Sequence, residues 1–231
     1  MKDNIVRAMA ANGGIRAFAA VTTGIVRKAH ELHSTSPVAT AALGRTLTAA
    51  AMMSRLLKNE KDTLTIRIKG DGPLGGIVAV SDSGSNVRGY VHNPSVYIPL
   101  NPAGHLDVAG ALGKKGNVIV IKDLGLKEPY VGEVELVSGE IGEDLTYYFA
   151  VSEQVPTALA LGVQIAPDES VLHAGGYLIQ LMPDVDESIV EYLEDKIFLA
   201  DSVTYMLSTG MGPADILEKL LGEKGLEIIE T

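Results

Sequence analysis

Two hydrophobic periods alternate along the chain. Apolar residues recur at every second position over 4–9 and 15–22, on either side of Asn12-Gly13-Gly14, which predicts a β-hairpin. Over 23–33 the spacing changes, and Ile25, Val26, Ala29 and Leu32 fall on one side of a helix. Ser34-Thr35-Ser36-Pro37 then stops that helix and caps the next, predicted over 38–58. In this second helix Ala39, Ala41, Leu43, Leu47, Ala50, Met52 and Met53 leave no polar face. A helix apolar on all sides is buried on all sides. Arg45 is its exception and requires an acidic partner.

Period two returns afterwards. Leu64, Ile66 and Ile68 alternate with Thr65, Arg67 and Lys69, predicting a strand over 63–70. Glycine-rich turns at 72–76 and 82–86 lead into strands over 77–80 and 87–92, and further strands are predicted over 117–122 and 130–138. A helical stretch over 142–155 precedes closing strands at 163–165 and 171–182. Antiparallel strands with interspersed helices make this an α+β chain, with sheets enclosing the central helix.

After Met182-Pro183-Asp184 only helical stripes follow until a short strand begins at Leu226. The first stripe is Ile189, Leu193 and Ile197 with Tyr192 and Phe198 beside it, and the second is Val203, Met206 and Leu207. The third, after Gly212-Pro213, is Ile216, Leu217, Leu220 and Leu221. We therefore divide the chain into a core over 1–182 and a small helical linker domain over 183–231.

Charge sharpens that division. The net charge is −10, and twelve acids against three bases in 183–231 place nine of those charges in the tail. An acidic tail repels phosphate backbones, and no lysine–arginine cluster elsewhere offsets it, which argues against a nucleic-acid partner. No apolar run reaches the ~18 residues of a membrane span. Arg7, Asn12, Gly13, Gly14 and Arg16 interrupt any signal-peptide core, so a cytoplasmic protein without membrane partners is expected.

Candidate chemistry is sparse. His30 and His33 lie three apart on a helix but have no further ligand nearby to complete a metal site. The run Gly70-Asp71-Gly72-Pro73-Leu74-Gly75-Gly76 leads into a strand and lacks the lysine of a phosphate loop, so it reads as a turn. Glu133 and Glu135 share a solvated strand face, and Glu143-Asp144 suits a helix start. No nucleophile elbow surrounds Ser152. The alternatives kept open are a small-molecule enzyme using His92, His105 or His173 with a carboxylate, and a module whose tail binds one specific protein.

An ordered set of segments resembles a known family. It comprises Ala41-Ala42-Leu43-Gly44-Arg45, Gly70-Asp71-Gly72-Pro73-Leu74-Gly75, Val87-Arg88-Gly89-Tyr90-Val91, Lys122-Asp123-Leu124-Gly125, Ser152-Glu153-Gln154-Val155-Pro156, and the run from Ala174-Gly175-Gly176-Tyr177 to Met182-Pro183. Together these are similar to the bacterial redox-regulated heat-shock protein 33 family of holdase chaperones. The resemblance implies a core of sheets around a central helix, a helical linker, and an ability to dimerise. It further implies ATP-independent binding of unfolding client proteins, with Ile189, Tyr192, Leu193, Ile197, Phe198, Val203, Met206, Leu207, Ile216, Leu217 and Leu220 as the client-binding or gating set. In that family a C-terminal domain holds zinc on four cysteines, and its oxidation releases the zinc, unfolds the linker and uncovers apolar surface. This chain has no cysteine, so it carries no cofactor site of that kind, and redox sensing passes to none of its residues. Two readings follow: a shortened chain, ending near the first expected zinc ligand, which we favour, or a homologue without the switch.

Overall fold

A computed structural model describes residues 2–231. Strands β1 (Asn4–Ala10) and β2 (Ile15–Val21) form the first hairpin, followed by helices α1 (Thr23–His33) and α2 (Pro37–Ser54). Strands β3 (Thr63–Gly70), β4 (Ile77–Asp82) and β5 (Val87–Val91), a short helix α3 (Val108–Leu112), and strands β6 (Gly116–Asp123) and β7 (Tyr130–Glu135) come next. Helix α4 (Gly142–Tyr148) runs into a wide turn over Phe149–Glu153, and β8 (Thr157–Ile165) pairs with β9 (Val171–Leu181). The tail holds α5 (Glu187–Phe198), α6 (Val203–Ser208), α7 (Pro213–Leu221) and β10 (Glu227–Glu230).

Two antiparallel sheets result, ordered β10-β1-β2-β9-β8 and β5-β4-β3-β6-β7. Helix α2 lies between them and touches both, as its all-round apolar sequence requires. Ser36 caps it by accepting from the Ala39 amide at 3.4 Å. The Arg45 guanidinium, the one charge on this helix, donates to Glu140 Oε2 at 2.6 Å. The helix stops at Ser54 rather than running to 58, because the Arg55 amide turns back to the Met52 carbonyl and Asp62 gathers the 58–59 backbone.

Three other predicted elements change extent. The 163–165 strand is the last third of β8, whose Ala-Leu-Ala-Leu-Gly start has little β-propensity of its own and is held by β9. The 130–138 strand ends at Glu135, since the amides of Val137, Ser138, Gly139 and Ile141 all turn to the buried Asp144 carboxylate. Ile141 is held there at φ 60°, an unfavourable region for a β-branched residue, by that set of hydrogen bonds. The 142–155 helix is α4 plus the wide turn, which ends with Gln154 in left-handed conformation.

The central strands of the first sheet, β2 and β9, are buried on both faces. Phe18 and Ala20 of β2 point toward α2, whereas Ile15, Ala17, Ala19 and Val21 point the other way into a second apolar core. That second core is where the tail packs.

Candidate functional site

The floor of the second core is a strip of small and aliphatic side chains: Val6, Ala8 and Ala10 on β1, Ala17 and Ala19 on β2, Ile179 on β9. Such a floor lets helices approach closely. On it lie Val203, Met206 and Leu207 of α6 and Ile216, Leu217, Leu220 and Leu221 of α7, each buried. Helix α5 leans chiefly on α7; Leu193 is buried, and Ile189 and Ile197 are partly so. Sequence periodicity thus brings ten of the candidate residues into one apolar cluster, those of α6 and α7 on the sheet and those of α5 against α7, counting Tyr192 at its rim.

Tyr192 is half-buried, donates its hydroxyl to the Leu220 carbonyl at 3.1 Å and has the Lys224 ammonium 4.5 Å from its ring centre. Burial raises its pKa, and burial likewise raises that of Tyr177 below. Phe198 is placed differently: it is 87% exposed, beside Leu199 at 77%. Its position in the helical stripe did not distinguish a core contact from a knob projecting past the last turn.

Polar groups fix the helix ends. Asp186 caps α5 by accepting from the Ser188 amide at 2.9 Å, and its hydrogen bonds from Ser188 hold its carboxyl below the ordinary range. Lys196 pairs with Glu223 at 2.6 Å, a hydrogen bond that raises the lysine pKa, and Lys219 pairs with Asp201 at 2.5 Å. These surface pairs hold helix to helix weakly. The remaining acids of α5, Glu187, Glu191, Glu194 and Asp195, all face outward.

The three helices are tied at both ends to the same sheet. They follow β9, and β10 returns to pair with β1, where Glu230 meets Arg55 at the end of α2. What the sequence did not mark is the seat of α6. Gly162 and Gly175 face each other across β8 and β9, and Val203, Thr204 and Leu207 lie directly over them. Two glycines thirteen residues apart carry no signal until the strand register is known.

Other candidates are not assembled into a site. His30 shares hydrogen bonds with Thr35 and Thr40, and His92 stacks on Tyr90 at 5.9 Å. Among the described residues no hydrogen bond joins His92, His105 or His173 to a carboxylate, and no group of three His, Cys, Asp or Glu is placed to hold a metal. The chain's residues therefore do not fit a zinc centre. No helix among them is long and apolar enough to cross a membrane.

The family profile described as Hsp33 protein matches residues 3–231. The chain belongs to the Hsp33 family. A 33 kDa chaperonin of Acetivibrio thermocellus is 58% identical over 229 residues, which are 99% of this chain and 77% of that protein. A 33 kDa chaperonin of Ruminiclostridium cellulolyticum is 57% identical over 231 residues, covering 100% and 78%. The crystal structure of a 33 kDa chaperonin (heat shock protein 33 homolog) from Thermotoga maritima superposes with a TM-score of 0.91 at 41% identity, over 98% of this chain and 78% of that one. This Hsp33 chain is thus a chaperone-family α+β protein, and its relatives' names are not those of enzymes.

Proposed function

We propose that this chain is an ATP-independent holdase whose segment 183–231 gates a client-binding face. In the closed state α6 and α7 cover the apolar floor of β1, β2 and β9. When they lift, that floor and the helices' own stripes are exposed together, and both hold unfolding proteins by non-directional apolar burial. The observation that carries the reading is the second core: an acidic, outward-charged helical segment whose apolar stripes are spent on one sheet face and on one another. A short segment of this kind is a low-stability unit, since its burial comes from docking alone. Its acids keep the opened form soluble.

In longer members the trigger would be oxidation of a zinc domain; this chain supplies no residue for it, and we assign the gate alone. Action in the cytoplasm and pairing as a homodimer belong to the same reading and rest on the resemblance. Light scattering from heated citrate synthase tests it: suppression at equimolar chain is expected, and undiminished aggregation would overturn it.

A further inference from the structure

Strand β8 is one edge of the first sheet, at the opposite side from β10, and it is unusually unprotected. Natural edges carry lysines, prolines or bulges that deter pairing. Thr157–Ile165 carries no charged residue and no proline, and its one irregularity is confined to the last step. Its hydrogen bonding can be read from the register. The Leu181 amide donates to the Pro156 carbonyl, so residues 158, 160, 162 and 164 bond to β9 and the odd-numbered residues direct their amides and carbonyls away from it. Among the described residues, nothing accepts from the Leu161 or Val163 amides.

These groups open into a groove of about 810 Å³ running along residues 161–165. One wall carries Leu100 and Leu106, from the segment before α3; the other carries Ser202 and Thr204, at the start of α6; the floor includes Ala41 of α2. A strand added there would alternate its side chains between the apolar α2 side and the hydroxyl-bearing α6 side. Two walls admit one extended chain and exclude the layered edge of another sheet. The charges exclude an acidic guest: Arg45 is already engaged by Glu140, and Glu169 stands at the mouth. A second copy's tail, with its nine net negative charges, is therefore a poor occupant.

We infer that the β8 edge is a second client site, which captures an extended, uncharged segment of a non-native polypeptide by adding it to the sheet. The inference rests on the chaperone reading and deepens it, adding directional backbone recognition to non-directional burial. It needs no movement of the tail, because the groove is open while α6 is seated. A segment of about four or five residues, alternating apolar with small polar side chains, fills it at ~3.3 Å per residue.

The test uses the full chain and a fluorescein-labelled ten-residue peptide of alternating valine and threonine with a lysine at each end. A matched peptide is N-methylated at alternate residues. Fluorescence anisotropy is expected to show binding of the first and at least about tenfold weaker binding of the second, since only the backbone donors differ. Val163→Pro, which removes an outward amide, and Leu100→Glu, which charges an exposed wall, are each expected to weaken the first peptide by a similar factor. Leu100 is 57% exposed, so that variant folds even if the proline does not. Equal binding of both peptides, or undiminished binding by L100E, would overturn the inference. If citrate synthase is still held while neither peptide binds, the edge site fails and the gate reading stands. If no client is held, both fail. A change in sedimentation mass of L100E without loss of peptide binding would make a second copy the occupant and also overturn it.

Discussion

Gly162 on β8 and Gly175 on β9 are direct cross-strand partners, and their missing side chains form the flat seat on which α6 rests. A Cβ on Gly162 would lie 2.8 Å from Thr204 Cγ2 and 3.2 Å from Val203 Cβ. A Cβ on Gly175 would instead strike the Ala20 carbonyl of the sheet itself. The first glycine thus tunes the docking of the tail, and the second also protects the sheet.

Gly162→Val should wedge α6 outward without disturbing α2. Overpacking costs about 1–3 kcal/mol, drawn here from tail docking. Hydrogen exchange of the α6 amides should accelerate, and aggregation suppression should rise, while α2 protection stays unchanged. Unaltered α6 exchange would show that the contact relaxes elsewhere.

Leu217 and Phe198 should separate seat from knob. Leu217 is fully buried, so Leu217→Ala should remove about 2–5 kcal/mol from the closed state. Phe198 is exposed, so Phe198→Ala should alter stability by under about 0.5 kcal/mol and weaken client retention. Urea unfolding paired with client dissociation rates reads both.

Glu153 receives the Lys122 ammonium and, at 2.7 Å, the Tyr148 hydroxyl, in a mostly buried cluster that joins β6 to the turn after α4. Removing one member leaves the other charge buried without a counter-charge. Glu153→Gln should therefore cost about 3–5 kcal/mol, measured by chemical denaturation. A loss below 1 kcal/mol would mean that water already screens the pair.

Burial, reinforced by the bond to Glu153, pushes the Tyr148 hydroxyl well above the tyrosine range, and burial raises Tyr177 too. Unfolded tyrosines release their protons near pH ~10, whereas these two keep theirs in the fold. The unfolded state then binds fewer protons, so stability is retained below about pH 10 and falls as pH rises beyond it. Tyr148→Phe should flatten that alkaline slope in urea midpoints between pH 9 and 11, even though it lowers stability at neutral pH. An unchanged slope would remove Tyr148 as its source.

Much of this was legible in the sequence, for identifiable reasons. The all-round apolar α2 and the tail stripes at Leu193, Met206, Leu217 and Leu220 follow from period and hydrophobicity, which are local properties. Arg45 announced its need for a carboxylate, though only the fold identified Glu140. Three features depend on register between distant strands and left no local trace: the Gly162–Gly175 seat, the return of β10 to β1, and the unpaired amides of Leu161 and Val163. Helix α3 was missed because five residues, Val108–Leu112, are too short for a periodic signal; Asp107 caps it at 2.8 Å from the Gly110 amide.

The gate is tested most directly by native-state hydrogen exchange, comparing the amides of α5 to α7 with those of α2 in the same sample. Opening free energies several kcal/mol lower in the tail than in α2, and lower still on adding unfolding client, are the expected result. Tail protection equal to that of α2, unmoved by client, would make residues 187–221 fixed scaffold and contradict the gate.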